Sequence, residues 1–335
     1  MSICVVGAGI IGLSTAVEIQ KREPRAKVCV LAEKFSPATV SDIAAGLWRP
    51  IYLPDPRIDL IRRWGETTID LTKRLAKEDA LLYGASFGSG YEFSNVESNE
   101  NVYWRDIVRD FSVLTLKQKR DMGYDQFRSG IHYTTTFLES PKYLKFLSKE
   151  FESNGGKFIK KKIYSLNELP SQYDCVVTCP GMGAYDLLKD HECFPIRGQV
   201  YRVEAPFIKH FYVFAEHHHD AYVLPNHTSV VVGGTHAKDD WSLDVSQSDG
   251  ERIWNEACKF LPSLKRAKIL KQAVGLRPGR STVRLERCDM QISALLTPVV
   301  HNYGHGGSGL TLFQGCAEDA ADLTVKAVHN KRSKL

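Results

Sequence analysis

Residues 3–12 read Ile3-Cys4-Val5-Val6-Gly7-Ala8-Gly9-Ile10-Ile11-Gly12, and this stretch decides the fold. Its first four residues are apolar and predict a short buried strand. The glycines that follow have the spacing G-x-G-x-x-G, which is the dinucleotide-binding fingerprint. Gly7 permits a tight turn, Gly9 lets the backbone approach a pyrophosphate, and Gly12 lets the next helix pack closely. The amino end of that helix would offer N–H groups and a positive dipole end to phosphates.

The residues after the fingerprint complete a β-α-β unit. Apolar residues at helical spacing from Leu13 to Ile19 predict a helix that Pro24 stops. The continuously apolar run Lys27–Ala32 predicts a second strand of a parallel sheet that is covered on both faces. Glu33 then stands 21 residues after Gly12, where it can accept hydrogen bonds from a ribose diol. The unit predicts dinucleotide contacts but does not distinguish FAD from NAD. These contacts are Gly7, Ala8, Gly9, Ile10, Ile11, Gly12 and Glu33.

Composition and charge exclude several classes of protein. The 335 residues are 43% apolar and 25% charged, with a formal net charge of +5, the balance of an ordinary soluble globular protein. The basic clusters, Lys160–Lys162 and Lys331–Lys334, are short, so nucleic-acid binding is not predicted. The longest apolar run, Ile3–Leu13, is too short to span a bilayer, so no membrane association is predicted.

The cysteines and the carboxyl terminus bear on the cellular compartment. Eight cysteines are too sparse for a disulfide framework, and the C-x3-C pair Cys175 and Cys179 lacks the partners of a zinc site, so no metal is predicted. The chain ends in Ser333-Lys334-Leu335, which is a peroxisomal address read by an import receptor. We therefore expect the protein to be located in the peroxisomal matrix and to bind the import receptor.

Longer motifs along the chain specify a family. The segments are Ser41–Pro50, Pro195–Val200, Val274–Arg287 and His301–Thr311. They resemble, in order and over essentially the whole chain, the family of D-amino-acid oxidases and D-aspartate oxidases. The resemblance implies FAD as cofactor and an α/β fold, with a Rossmann-like FAD-binding domain interleaved with an antiparallel-sheet substrate domain. The expected FAD-binding pieces are 1–50, 136–195 and 285–335, and the substrate pieces are 51–135 and 196–284.

The resemblance also assigns further FAD contacts. On the adenosine and pyrophosphate side they are Lys34, Thr39, Ser41, Ala45, Gly46, Leu47 and Ile163. At the flavin they are Gly306, Gly307, Gly309, Leu310 and Thr311, in the loop that opens the last helix, whose dipole would stabilise charge on the reduced flavin. Val40 and Pro180 depart from the family pattern, because many relatives carry a hydroxyl at both positions.

The same resemblance assigns the substrate site. Tyr222, Arg284 and Gly307 receive catalytic and substrate-binding roles, with Arg284 and the Tyr222 hydroxyl holding the substrate carboxylate. If 277–287 is one strand, Arg280 and Arg284 share a face and Arg277 lies on the other, where a structural ion pair is expected. Arg49 is a candidate partner for a substrate side-chain carboxylate. His218 is a candidate contact from the active-site lid or a solvated loop residue.

The implied reaction converts a D-amino acid, water and oxygen to a 2-oxo acid, ammonia and hydrogen peroxide, by hydride transfer to flavin N5. Residues 47–50 and 284–287 favour the branch that oxidises neutral D-amino acids. Residues 233–241 and the Ser-Lys-Leu end favour D-aspartate, although the histidine and arginine of that branch are replaced by Ile51 and His236. An NAD-dependent dehydrogenase and a catalytically inactive flavin-binding protein stay open as alternatives. A homodimer is a further expectation.

Overall fold

The computed structural model describes residues 1–96, 101–216 and 220–332. Its strands are β1 Ser2–Val6, β2 Lys27–Ala32, β3 Ala85–Ser94, β4 Arg109–Val113, β5 Ser129–Leu138, β6 Lys157–Lys160, β7 Cys175–Thr178, β8 Phe194–Glu204, β9 Phe211–Ala215, β10 Asp220–Pro225, β11 Val230–Gly233, β12 Ala237–Lys238, β13 Lys268–Gly279, β14 Arg284–Ile292 and β15 Leu295–Tyr303. Its helices are α1 Ile10–Arg22, α2 Ile58–Glu78, α3 Ala80–Tyr83, α4 Leu116–Asp121, α5 Ser140–Ser153, α6 Ala184–Leu187, α7 Gln247–Phe260 and α8 Gly309–Arg332.

The first sheet is the dinucleotide-binding sheet, with strand order β14-β15-β7-β1-β2-β6. Its central strands run parallel: β1 pairs with β2 and β7, β7 with β15, and β2 with β6. β14 pairs antiparallel with β15 at the edge. The central strands are almost completely buried because helices cover both faces of a parallel sheet. Helices α1, α5 and α8 pack together with the apolar face of this sheet in one core.

The second sheet has the strand order β12-β8-β11-β10-β9-β3-β5-β4, and β13 also pairs with β8. Its neighbours are antiparallel, except that β3 and β9 run parallel, so the expected antiparallel sheet has one parallel pair. The amphipathic stretch predicted over 58–82 forms α2 and α3. α2 contacts both α8 and β3, and so links the two sheets.

The architecture confirms the predicted α/β class with a Rossmann-like sheet and a separate second sheet. β5 lies wholly in the second sheet although it ends at Leu138, three residues beyond the boundary expected at 135. The domain boundaries themselves stay a prediction. Within the described residues, no helix combines the length and the apolar character that crossing a membrane requires.

Candidate cofactor and substrate site

A cavity of about 1010 Å³ begins at the carboxyl ends of β1, β2 and β7 and continues to the face of the second sheet. Ligands of open parallel sheets bind at this end of the strands. The volume is at the upper end of the range for small-molecule sites. We call the part lined by Arg49, Tyr52, Asp220, Tyr222 and Arg277 the substrate side, and the part around the β1–α1 turn the dinucleotide side.

The β1–α1 turn has the geometry that the fingerprint predicts. Gly7 has φ +114°, and a Cβ there would lie 2.1 Å from the carbonyl oxygen of Cys179, so only glycine fits. A Cβ at Gly12 would lie 2.0 Å from the carbonyl oxygen of Gly7, which explains why α1 can pack so closely. Gly12 itself does not line the cavity; it allows the turn that does. The helix dipole and first-turn amides of α1 therefore lie at the cavity wall.

The other residues predicted to contact the cofactor line the same cavity. They are Ala8, Gly9, Ile10, Ile11, Glu33, Lys34, Thr39, Ser41, Ala45, Gly46, Leu47, Ile163, Gly306, Gly307, Gly309, Leu310 and Thr311. Ser41 Oγ also accepts a hydrogen bond from the amide of Ile10 at 3.0 Å, which ties the Ser41 loop to the start of α1. Glu33 lies 3.4 Å from Lys162 Nζ, and Lys161 and Lys34 also line this side.

The start of α8 holds the loop that carries Arg49 and Tyr52. Ser308 Oγ accepts from the amide of Ile51 and donates to its carbonyl, both at 2.8 Å. Thr311 Oγ1 donates to the carbonyl of Arg49 at 2.9 Å. Tyr52 has φ +49°, which is uncommon for a non-glycine residue and concentrates at functional sites. The hydroxyls of Ser308 and Thr311 thus fix the segment that carries Arg49 and Tyr52 against the amino end of α8.

His305 supplies a buried polar atom that faces no partner in the described part of the chain. Its Nε2 is buried without a hydrogen bond, and the residue lines the cavity beside Gly306. Burial lowers the pKa of His305 to about 3, so the ring is neutral at physiological pH. This cavity lining fits a flavin dinucleotide. It combines a neutral imidazole nitrogen that lacks a hydrogen-bond partner with two glycine-rich turns and the amino ends of two helices.

Tyr222 and Arg277 form the polar pair of the substrate side. The guanidinium of Arg277, on β13, lies near enough to the Tyr222 hydroxyl to lower its pKa, and it donates through Nη1 to the carbonyl of Thr235 at 3.0 Å. Burial outweighs this effect and raises the pKa of Tyr222, so its hydroxyl stays protonated. Gly233 gives the ring room, since a Cβ there would lie 2.2 Å from Tyr222 Cζ. Tyr222 thus lines the cavity near Arg277, for which the sequence analysis expected a structural ion pair.

Arg284 does not reach this cavity, which corrects its predicted role. Its Nη1 donates to the Tyr303 hydroxyl at 2.7 Å and lies 3.2 Å from Asp190, while its Nε donates to Glu286 at 2.7 Å. It opens onto a separate surface depression. The prediction treated 277–287 as one strand, but β13 ends at Gly279 in the second sheet and β14 begins at Arg284 in the first. Arg277, and not Arg284, is therefore the member of this segment that lines the cavity.

Arg49 lines the cavity, but its charge is already matched. Its Nε and Nη2 lie 2.6 Å and 2.7 Å from the two carboxylate oxygens of Glu92, whose side chain is 4% exposed. Tyr133 also hydrogen-bonds to Glu92. This close ion pair, in which Nη2 donates to Glu92, does not support the prediction that Arg49 binds a substrate carboxylate.

Tyr52, Asp220 and His236 are a group that the sequence interpretation did not assign. The Tyr52 hydroxyl donates to Asp220 at 3.5 Å, and His236 Nδ1 lies 3.8 Å from the same carboxylate oxygen. The rings of Tyr52 and His236 stack with centroids 5.3 Å apart. No local signal unites residues so distant in the chain. His218 lies outside the described residues.

Comparison with known proteins identifies the family. The DAO family model, FAD dependent oxidoreductase, matches residues 2–323. D-aspartate oxidase from Homo sapiens is 36% identical over 335 residues, covering 99% of this chain and 97% of that protein. D-amino acid oxidase from Dugesia ryukyuensis is 34% identical over 332 residues, covering 96% and 97%. The solved structure of glycine oxidase from Geobacillus kaustophilus shows the same fold, with TM-score 0.79 and 18% identity over 97% of this chain and 94% of that one.

These matches confirm the resemblance drawn from the motifs, and they decide the cofactor that the fingerprint left open. The cofactor is FAD, and the protein is an oxidoreductase. The family match extends over nearly the whole chain, and the cavity with its glycine turns agrees with it. The chain therefore belongs to the DAO family of FAD-dependent oxidoreductases.

Proposed function

We propose that this protein is an FAD-dependent oxidase of D-amino acids, which it converts to 2-oxo acids, ammonia and hydrogen peroxide. The observation that carries the proposal is the Tyr222–Arg277 pair on the wall of the cavity that the β1–α1 turn opens. The names of the relatives support the substrate class. Because D-amino acids share an α-carboxylate, one guanidinium fork can serve them all.

The chain's own residues would bind and orient the substrate. Arg277 pairs bidentately with the α-carboxylate, and the Tyr222 hydroxyl donates to it, which fixes the Cα–H direction. Because the pKa of Tyr222 is raised, Tyr222 acts as a hydrogen-bond donor and not as a base. Gly307, on the wall beside Tyr52, leaves space for the bound substrate. Bound FAD supplies the two-electron acceptor, which oxygen reoxidises to give hydrogen peroxide.

The proposed FAD contacts follow from the cavity lining. Glu33 would accept from the ribose, the α1 amino end would face the pyrophosphate, and the α8 amino end would face the flavin. Ile163, 9% exposed, would pack near the adenine.

The direct test combines the flavin spectrum with peroxide release. The purified protein should show flavin absorbance, and paired D- and L-enantiomers of alanine, aspartate and lysine should yield peroxide from the D-form alone. A colourless protein, or one that turns over only with NAD, would refute the assignment.

D-Aspartate oxidation is the second candidate, favoured by the 36% identity to the human D-aspartate oxidase. The charges of the substrate side argue against it, because Arg49 is paired with Glu92 and a further carboxylate, Asp220, lines the cavity. The ratio of kcat/KM for D-aspartate to that for D-asparagine separates the two readings, since these substrates differ only in side-chain charge.

We further propose the peroxisomal matrix as location, through an import receptor that reads Ser333-Lys334-Leu335. These residues lie outside the described part of the chain. A reaction that releases hydrogen peroxide suits that compartment. A homodimer stays a prediction, which light scattering after size-exclusion chromatography can test.

A further inference from the structure

The loop of residues 239–246 connects β12 to α7 and forms part of the cavity wall. Trp241 and Leu243 line the cavity, although Trp241 is 47% exposed and Leu243 is 61% exposed. Val245, in the same loop, is also exposed but does not line the cavity. Large apolar side chains that stay uncovered at the wall of a cavity are typical of residues that a bound molecule covers.

The motif Pro195–Val200, which the proposed function does not use, holds this loop. Side chains alternate between the two faces of β8, so Arg197 and Gln199 share one face. Arg197 is only 2% exposed. Its Nε donates to the carbonyl of Ser242 at 3.1 Å, and its Nη2 donates to the carbonyl of Asp244 at 2.6 Å. The guanidinium thus binds the loop backbone on both sides of Leu243.

Gln199 completes the attachment of the loop. Its Oε1 accepts from the amide of Ser246 at 2.9 Å, and its Nε2 donates to the carbonyl of the same residue at 2.8 Å. Arg197 donates to Gln199 Oε1 at 3.0 Å and pairs through Nη1 with Asp249 of α7 at 2.8 Å. Two buried side chains therefore bind three carbonyls and one amide of the loop, and such a satisfied network fixes its conformation.

Trp241 carries the loop from the second sheet to the first. Its ring packs edge-on against Tyr185 of α6, with ring centroids 5.1 Å apart and an interplanar angle of 69°. The turn that precedes α6, residues 180–183, lines the cavity, as do Asp186 and Leu187. Trp241 therefore lies beside the part of the cavity that the β7–α6 turn borders.

The strand order indicates which part of FAD passes this turn. β7 lies between β1 and β15, and all three strands run parallel. β1 leads into the turn that would hold the pyrophosphate, and β15 leads into the loop that would hold the flavin. An FAD molecule that extends from one to the other crosses the carboxyl end of β7. The ribityl chain joins pyrophosphate to flavin, so it is the part of FAD nearest to the β7–α6 turn.

We propose that Trp241 is a cofactor-binding residue that covers the ribityl chain of FAD, and that Arg197 is the positioning residue that holds the loop in place for this contact. The inference concerns the cofactor of the family and goes beyond the proposed function. FAD affinity is measured without any substrate, so failure of this inference would leave the proposed oxidation of D-amino acids untouched.

The first test is titration of the apoprotein with FAD, followed by flavin absorbance. Trp241→Ala should raise the Kd for FAD about 10-fold, as expected when an aromatic side chain loses a contact that it covers. Trp241→Phe keeps an aromatic ring and should raise the Kd only about twofold. Equal Kd values for the wild type and Trp241→Ala would overturn the contact.

The second test measures the exposure of Trp241 directly, by its rate of oxidation with N-bromosuccinimide and peptide mass spectrometry. FAD should slow oxidation of Trp241 about 10-fold and leave that of Trp254 unchanged, because Trp254 packs against a separate core of the second sheet. A Trp241 rate that FAD does not change would also overturn the contact.

Val245→Ala is the matched control, because it shortens an exposed apolar residue of the same loop that does not line the cavity. Its Kd for FAD should equal the wild-type value. An equal rise of the Kd in Val245→Ala and Trp241→Ala would mean that any change in the loop weakens FAD binding, and it would overturn the specific role of Trp241.

Arg197→Lys tests the positioning role, since lysine keeps the charge beside Asp249 without the planar fork that binds the loop carbonyls. The Kd for FAD should rise, and combining this change with Trp241→Ala should add less than twofold, because both changes remove one contact. Fully multiplicative effects would overturn the positioning role. If Arg197→Lys does not fold, Gln199→Ala, which removes the bonds to Ser246, undergoes the same double-variant test.

Discussion

Replacing Arg277 by leucine tests which arginine holds the substrate carboxylate. The change removes the guanidinium that lies beside the Tyr222 hydroxyl and donates to the carbonyl of Thr235. A substrate carboxylate would then enter a largely desolvated site without its charged partner. Losing one partner of such a pair costs roughly 2–5 kcal/mol, so kcat/KM for D-alanine should fall roughly 30- to 5,000-fold.

Arg284→Leu is the control, because it removes the same charge only seven positions away. Arg284 does not line the cavity, and it contacts Asp190, Glu286 and the Tyr303 hydroxyl. Its loss should lower the free energy of unfolding and leave kcat/KM of the folded, FAD-loaded enzyme close to the wild-type value. Arg277→Lys should lie between wild type and Arg277→Leu, because lysine keeps the charge without the planar fork.

The assay is initial-rate peroxide release at several D-alanine concentrations, with flavin absorbance giving the loaded fraction and thermal unfolding checking the fold. The reasoning fails if Arg277→Leu retains normal efficiency, or if Arg284→Leu loses efficiency as steeply as Arg277→Leu was expected to.

Four further predictions follow from other contacts. Glu33→Ala should weaken FAD binding by about 1.5 kcal/mol, measured by titrating the apoprotein, since a charge-assisted hydrogen bond to ribose would be lost; unchanged affinity would make Glu33 a surface acid. Arg49→Gln should lower the free energy of unfolding by about 3 kcal/mol in urea, because it leaves the buried carboxylate of Glu92 without its fork; a change confined to acidic substrates would instead restore Arg49 as a specificity residue. The pKa of His305 is lowered to about 3 in the folded protein, so between pH 6.5 and 3 the unfolded state binds a proton that the folded state does not. The free energy of unfolding of the apoprotein should therefore fall with decreasing pH by up to about 1.4 kcal/mol per pH unit. His305→Gln should make that slope shallower, and an identical slope would contradict the buried neutral ring. Removing residues 333–335 should leave oxidase activity intact and move a tagged protein to the cytosol, whereas continued colocalisation with catalase would exclude this tail as the address.

The β-α-β unit is the part of this protein that the sequence by itself determined. Its strand, turn and helix are specified by neighbours within about thirty residues, and Gly12 packs against the carbonyl of Gly7 in the same turn. The close approach at Gly7 itself comes from Cys179, which the fold brings beside the turn. The strand Lys27–Ala32 was predicted with its observed bounds for the same reason. The longer motifs determined the family, and with it the choice of FAD over NAD.

The tertiary structure decided which polar groups meet on the substrate side. Whether Arg277 or Arg284 faces the cavity depends on the chain leaving one sheet after Gly279 and entering the other at Arg284, which the spacing of arginines cannot reveal. The pairing of Arg49 with Glu92, and the meeting of Tyr52 with Asp220, join residues 43 and 168 positions apart. Such contacts follow from the packing of whole sheets and helices. Hydrophobic burial determines how these elements pack against one another, and the polar side chains at their interface pair with whichever groups this packing places beside them.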